Sequence, residues 1–349
     1  MRDTQQKDFL DPHSSTRVVN VRDEKADVYI GRGSAYGNPF LVQRYGRDGC
    51  IAQFRAWIRE QPELLRHVRE TLPGKSLGCH CAPQACHGDV LKEIADGLWD
   101  ARIPPEPVFV FGSNEAGRHG AGAARFAQTT RGAEPGVGVG PTGSAYALPT
   151  KDKQIETLEL DAVRRYVQSF LAHARAHPDQ LFQVTRIGCG LAGFDDAQIA
   201  PLFKERSANV LLPGIWLALE NPRLARVVVA GSRGFEDYRL LEERLTRILD
   251  GLAQSGASIE IVSGGAKGAD TLGERFALEH GYPIRRMPAP WHRYGKRAGM
   301  IRNQLMSWYA THLVAFWDGV SPGTKMMVDT AGQDKIKTRV VRANPLERG

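Results

Sequence analysis

The sequence predicts an α/β protein of three consecutive modules, the last of them a doubly wound parallel sheet. Three observations lead there. Short apolar runs of buried-strand type, such as Val108-Phe109-Val110-Phe111 and Val227-Val228-Val229-Ala230, alternate with stretches of helical periodicity, the pattern of strand–helix–strand units. Several of these runs end in glycine-rich segments, where a parallel sheet turns into its next helix and holds its ligands. Two proline-containing joints, ARIPPEP at 101–107 and ENPRLAR at 220–226, divide the chain, because proline removes a backbone donor and interrupts regular structure. A chain of 349 residues, 42% of them hydrophobic, suits two or three domains with ordinary cores. The expected division is a loose N-terminus over 1–16, an α/β domain over 17–103, a second over 107–221 and a third over 225–343.

Composition excludes some functions. No run approaches the roughly 18 apolar residues of a membrane span, and the polar start lacks an export-type apolar core. Five cysteines, three of them clustered, do not make a disulfide framework without such a signal. The expectation is a cytoplasmic protein with no membrane partner. A net charge of +7 fits a phosphate-bearing ligand or a polyanion, and equally a mildly basic soluble protein. No basic stripe interleaved with aromatic residues favours single-stranded nucleic acid.

In the first module, Val28-Tyr29-Ile30 reads as a strand entering the glycine loop Gly31–Phe40, and Ile51, Phe54, Trp57 and Ile58 mark a helix face. Gly78 to Asp89 then leads into a helix with Val90, Leu91, Ile94 and Leu98 inward. Cys79, Cys81, Cys86 and His87 are candidate zinc ligands, but C-x-C-x4-C-H falls in one short segment, whereas zinc sites usually draw pairs from two separated places. Zinc is therefore not expected; a strand carrying Cys79 and Cys81, with Cys86 and His87 packed around it, is. A thiol beside the following helix start could also be acidified. The strings GRGSAYGNPF and CHCAPQACHGDVL resemble a small domain common in phage and bacterial genomes with no assigned activity, in which Arg32, Asn38 and His87 are candidates to line a pocket.

In the second module, the strand from Val108 leads into a loop of small residues, Gly112 to Ala124. A second glycine loop, Gly136–Gly143, precedes the strand Ala145–Pro149. Asp161 reads as the cap of a helix with Val163, Tyr166, Val167, Phe170 and Leu171 on one face. The strand Phe182–Ile187 ends at a glycine loop that could approach a phosphate or ribose, and Lys151 beside it could be a charge partner or a nucleophile. Asn114 with HGAGAA, the string LPTK, and IGCGLAG together resemble the macrodomain fold, closest to terminal ADP-ribose protein glycohydrolase and the antitoxin macrodomain that removes ADP-ribose from DNA. That resemblance implies ADP-ribose binding by Asn114, His119, Gly120, Gly122, Gly188, Cys189, Gly190 and Gly193. It also implies attack on the ribosyl C1′ by Lys151, with help from an acid in the loop. Ala192 stands at the acid's place, so Asp195 and Asp196 are the candidates to substitute, or they simply open the next helix.

In the third module, three strand ends carry loops that a helix N-terminus would make anion-seeking. They contribute Gly231, Ser232 and Arg233; Ser263, Gly264, Gly265, Lys267 and Asp270; and Ser321, Gly323 and Thr324. Asp237 reads as the cap of a helix with Leu241, Leu245, Ile248, Leu249 and Leu252 inward, and Leu272, Phe276 and Ala277 mark the next. The strings GSRGF, SGGAKGAD, PAPWHRYGKRAGMIRN and WDGVSPGTK resemble the SLOG superfamily, which includes the DNA-processing protein A fold, the Lonely Guy phosphoribohydrolases and nucleotide-sensing domains of bacterial defence systems. This implies a Rossmann-like nucleotide site with Arg302 and Asn303 in it. The phosphoribohydrolases' glutamate has no counterpart after Thr324, where Lys325-Met326-Met327 follow, which leaves no group there to activate water.

The resulting expectation is a protein that binds, and in one reading hydrolyses, ADP-ribose, a related NAD-derived nucleotide or an ADP-ribosyl adduct on protein or nucleic acid, with no required cofactor. The alternatives are a non-catalytic sensor or sequestering protein for a signalling nucleotide in phage–host conflict, and a SLOG-type nucleotide N-glycosidase.

Overall fold

The structure, a computed structural model, describes residues 15–100 and 103–343. It is α/β throughout, with predominantly parallel sheets. Among the described residues no helix is long and apolar enough to cross a membrane. Most of the segment expected to be loose, residues 1–14, lies outside the described residues. Thr16 does not fit that expectation: it is buried, its N–H donates to Asp96 Oδ1 at 3.2 Å, and its hydroxyl accepts from Gly74 N–H at 3.1 Å.

The first domain comprises β1 (Arg17–Asn20), β2 (Val28–Tyr29), α1 (Val42–Arg59), α2 (Pro62–Thr71), β3 (Ser76–Cys79) and α3 (His87–Ala95). Its sheet has the order β1-β3-β2, all parallel. α1 is broken at Gly46, whose φ of +67° suits a residue without a Cβ. Phe54, Ile58, Leu64, Val68, Leu77, Val90 and Ile94 fill the core. Two expectations fail locally. Leu98 lies beyond α3 and is 72% exposed, and Cys81 sits in the turn after β3.

The second domain contains β4 (Val108–Asn114), α4 (Gly122–Thr130), β5 (Gly140–Thr142), β6 (Ala145–Lys151), α5 (Leu160–Ala176), β7 (Phe182–Val184), α6 (Asp196–Ile199), β8 (Val210–Leu211) and α7 (Gly214–Glu220). The order is β5-β6-β4-β7-β8, parallel except for β5 against β6. The chain runs from β4 to one side of it and later returns to the other, so β4 marks the switch of direction. Asp161 is not the cap: it falls in the first turn of α5, whose N-cap position is Glu159, with no side-chain capping hydrogen bond. β7 stops short of Ile187 because Thr185 turns both its N–H and its hydroxyl onto Val110 O, each at 3.0 Å.

The third domain is built from β9 (Leu224–Gly231), α8 (Tyr238–Gln254), β10 (Ser258–Ser263), α9 (Ala269–His280), β11 (Ile284–Arg286), α10 (Trp291–Tyr294), α11 (Ala298–Tyr309), β12 (His312–Trp317), α12 (Pro322–Gln333) and β13 (Lys337–Arg342). Its sheet, β11-β10-β9-β12-β13, is wholly parallel and Rossmann-like. Asp237 caps α8 as the sequence implies, its Oδ1 accepting from Leu240 N–H at 2.9 Å. The order reverses between β9 and β12, so a ligand crevice belongs at the carboxyl ends of those strands.

The domains are docked by specific contacts. The Gln61 side chain extends the edge of β11 like a further strand: its amide donates to Ile284 O at 2.9 Å and accepts from Arg286 N–H at 2.8 Å. Trp308 of α11 packs on Phe109 and Phe126 of the second domain, with ring centroids 5.1 Å apart in each case. Glu70 and Glu106 both pair with Arg293.

Candidate functional site

At the switch point of the third domain lies a cleft of about 640 Å³. Gly231, Ser232 and Arg233 from the end of β9, Asp270 from α9, Arg302 and Asn303 from α11, and Ser321, Gly323 and Thr324 from the start of α12 form its wall. The sheet thus brings together residues from all three loops proposed from the sequence. Lys296 and Met300 join them and were missed; their only signal was the string GKRAGMIRN running into Arg302. Glycine is required where chains meet. A Cβ on Gly231 would overlap Phe316 O, and one on Gly268, whose φ is +83°, would overlap Ser232 O. Asp318 fixes the loop ahead of α12 by accepting from Ser321 N–H at 2.7 Å and Val320 N–H at 3.0 Å.

Other residues of the proposed set support the cleft or face elsewhere. Ser263 is fully buried and braces the loop, its hydroxyl accepting from Gly265 N–H at 3.0 Å. Gly265 packs near Ala35 and Arg286, and the Lys267 side chain lies by Gly33, so the first domain covers this loop. Lys325 turns outward and pairs with Asp329 at 2.6 Å.

Arg302 and Asp270 set the electrostatics of the cleft. Asp270 Oδ2 accepts from Gly264 N–H at 3.1 Å and Ala266 N–H at 3.4 Å, with Arg302 Nη1 3.6 Å away. Burial pushes the Asp270 carboxyl up to about 6, against the pull of Arg302 and the two N–H groups. Burial also lowers the pKa of Arg302, and nearby Arg233 acts in the same direction. Arg302 Nε donates to Asn303 Oδ1 at 2.9 Å, which orients the guanidinium in the cleft wall. Because folded Asp270 holds its proton more tightly than the unfolded chain does, the folded state carries the extra proton between pH about 4 and about 6. Stability therefore falls as pH rises through that window. Relative to Asp270→Asn, the wild type is expected to lose on the order of 2–3 kcal/mol there, measured by urea unfolding across the pH range.

In the second domain the segments proposed from the sequence also converge. Glu115 N–H donates to Lys151 O at 3.0 Å, and Thr157 Oγ1 donates to Ala192 O at 3.1 Å, which ties the lysine-bearing strand to both loops. Lys151 Nζ donates to Ile155 O at 3.0 Å. Asn114 is engaged within its own loop, accepting from Arg118 N–H at 3.0 Å and donating to Arg118 O at 2.7 Å. His119 is buried against Glu134 O, while Gly120, Gly122, Gly190 and Gly193 are exposed and Gly188 is buried. The Cys189 thiol is pushed by burial up to about 12, which leaves it unreactive. Asp195 is the N-cap of α6. Asp196 is held in a buried ion pair with Arg186 at 2.6 and 2.8 Å, and its Oδ1 also accepts from Trp216 Nε1 at 2.6 Å. Its geometry is that of a structural anchor, and neither partner is legible from the local sequence around it.

In the first domain Arg32, Asn38 and His87 line one cavity of about 290 Å³ with Cys79, Cys81 and Cys86. The Sγ atoms of those three cysteines lie within 4.8 Å of one another. His87 is not among them; its Nε2 is 2.9 Å from Ile30 O, and burial lowers its pKa to about 4.

An all-parallel sheet with its cleft at the strand-order reversal, and an oriented arginine in the cleft wall, define a Rossmann-like α/β protein. Comparison with known proteins then places the parts. Residues 225–294 match the YspA, cpYpsA-related SLOG family, and residues 14–97 match a domain of unknown function, DUF4326. The chain thus carries a DUF4326 domain at its N-terminal side and a SLOG-family domain at its C-terminal side. It is 36% identical over 86 residues to an uncharacterized 12.4 kDa protein of the nrdA-td intergenic region of Enterobacteria phage T4, covering 24% of this chain and 80% of that protein. It is also 32% identical over 108 residues to the gene 61 protein of Mycobacterium phage D29, covering 29% of this chain and 84% of that protein.

Proposed function

We propose that this protein binds a nucleotide-derived ligand in the cleft of its SLOG domain, with the ligand's phosphate on Arg302 and the N-terminus of α12. The observation that carries the reading is Arg302, oriented by Asn303, set over the Gly264 loop that follows β10, and lining the cleft at the switch point of a parallel sheet. ADP-ribose or another NAD-derived species is the ligand class. A second recognition surface is the edge of the middle domain whose motifs resemble a macrodomain, where Thr157 pairs with Lys151 and reaches the Gly188–Gly193 loop at Ala192 O. An ADP-ribosyl group on protein or nucleic acid would present the same chemistry to that edge.

Binding without turnover is the better-supported form of this function. Asp196 is engaged by Arg186 and Trp216, and no acid follows Thr324 where a glycosidic hydrolase of this type needs one. A sensor or sequestering role follows, in keeping with the phage relatives. If hydrolysis occurs, Lys151 is the residue to carry it, with Asp195 as the remaining carboxylate.

The test is calorimetric titration of the full-length protein with ADP-ribose, AMP and NAD. Arg302→Ala is expected to weaken binding about 10- to 100-fold, since a hydrogen bond to a charged group contributes about 1.5–3 kcal/mol. Chromatographic recovery of intact ligand after long incubation supports the sensor. Ligand loss that disappears in Lys151→Ala supports hydrolysis. Absence of binding by all three ligands would overturn the proposal.

A further inference from the structure

We infer that Cys79, Cys81 and Cys86 of the first domain form a three-thiolate metal site for Zn²⁺, with its fourth coordination position open to the adjoining cavity. The cysteines are spread along one short segment, and the fold gathers them. β3 ends at Cys79, the turn is closed by Gln84 N–H on Cys81 O at 3.0 Å and pinned by Asn20 Nδ2 on Ala82 O at 2.8 Å, and Cys86 then caps α3. The three sulfurs lie within 4.8 Å of one another, and Cys79 Sγ is 3.4 Å from Cys86 Sγ. A tetrahedral ion with Zn–S bonds of about 2.3 Å holds its sulfurs about 3.8 Å apart, so sub-ångström side-chain adjustment completes the site.

Two further features fit metal-bound thiolates. Backbone donors already point at the sulfurs: Cys81 N–H at 3.3 Å on Cys79 Sγ and Gly88 N–H at 3.2 Å on Cys86 Sγ. Such outer donors orient and stabilise ligating groups. No fourth His, Cys, Asp or Glu ligand atom joins the cluster among the described residues, and His87 is turned to Ile30 O. Three protein ligands with an open position is the pattern of zinc sites that take water or a substrate, whereas structural sites are closed by a fourth side chain. The cavity beside the cluster is lined by Arg32 and Arg47, held by Phe40 O at 3.2 Å and Ala85 O at 3.2 Å respectively, so the exchangeable ligand would be water or a small anion. A Cys79–Cys86 disulfide would account for only two of the three thiols.

The experiment uses the full-length protein, reduced and stripped with a chelator. Native mass spectrometry with added Zn²⁺ is expected to show one ion per chain, with a Kd below about 1 µM. Cd²⁺ is expected to produce the ultraviolet sulfur-to-cadmium charge-transfer band. Cys79→Ser and Cys86→Ser should each lose the tight ion, and Cys189→Ser, in the second domain, should keep it. Should the serine variants fail to fold, alkylation of the wild type decides: Zn²⁺ should protect Cys79, Cys81 and Cys86 together. No ion uptake by the stripped wild type, binding that survives Cys79→Ser, or alkylation of the three cysteines unaffected by Zn²⁺ would each overturn the inference.

Discussion

Arg286→Ala is expected to lower the stability of the protein by about 3–5 kcal/mol, the usual cost of stranding one member of a buried ion pair. Arg286 is 2% exposed and sits where the first and third domains meet. Its Nε donates to Glu274 Oε1 at 2.9 Å, and its Nη2 pairs with the other carboxylate oxygen. Its remaining terminal nitrogen donates to Gly37 O at 2.7 Å and Ala35 O at 3.2 Å, both in the first domain. The guanidinium also lies 4.9 Å from the centre of the Trp57 ring. Truncation would leave Glu274 charged and buried, with two carbonyls of the first domain losing their donor. Arg286→Lys should recover little, because an ammonium cannot reproduce a planar fork that serves a carboxylate and two carbonyls together. Joint replacement, Arg286→Met with Glu274→Leu, should recover much of the loss, since no charge is then stranded. Urea unfolding measures the cost. Limited proteolysis at the 97–107 connection should show the first domain loosened in Arg286→Ala and held in the double variant. A cost under about 1 kcal/mol would mean that the pair is solvated and the docking weaker than this geometry requires.

Why Arg286 could not be found in the sequence shows where legibility ended. β9, β10, β12 and β4 are apolar runs long enough to declare themselves, because both faces of a central parallel strand are buried. β11 is three residues, Ile284-Arg285-Arg286, and reads as polar. It is a strand because it pairs with β10, and Gln61 of another domain satisfies its outer edge. β13, Lys337–Arg342, is likewise an edge strand with mostly exposed side chains. The glycine loops were visible because chain reversal and close approach are local demands. Arg302 came from the resemblance to SLOG domains. The partners that decide what a charged group can do are separated from it in sequence and meet it through packing: Arg186 and Trp216 for Asp196, Asp270 and Gly264 for Arg302. The cysteine segment illustrates the same limit in reverse, since a linear spacing unlike a zinc motif becomes a compact cluster once the turn after β3 folds back.

Gly264→Ala is expected to reduce nucleotide affinity by up to as much as Arg302→Ala does, about 10- to 100-fold, while leaving the fold in place. A Cβ at position 264 would overlap Nη1 and Cζ of Arg302 and lie 2.8 Å from Asp270 Oδ2. The guanidinium has little freedom to yield, because its Nε is fixed on Asn303 Oδ1 and Asp270 attracts its far end. Moving it would break the first contact or strand Asp270, which is 4% exposed. One added methyl should therefore act on the ligand through Arg302. The double variant Gly264→Ala/Arg302→Ala supplies the decisive comparison. If the glycine serves to seat the arginine, the two losses will not add, and the double variant will bind about as weakly as Arg302→Ala alone. Additive losses would mean that the glycine loop contacts the ligand directly through its own backbone. Titration of the four proteins with the same nucleotide separates the two arrangements, and unfolding curves for each confirm that the comparison is between folded chains.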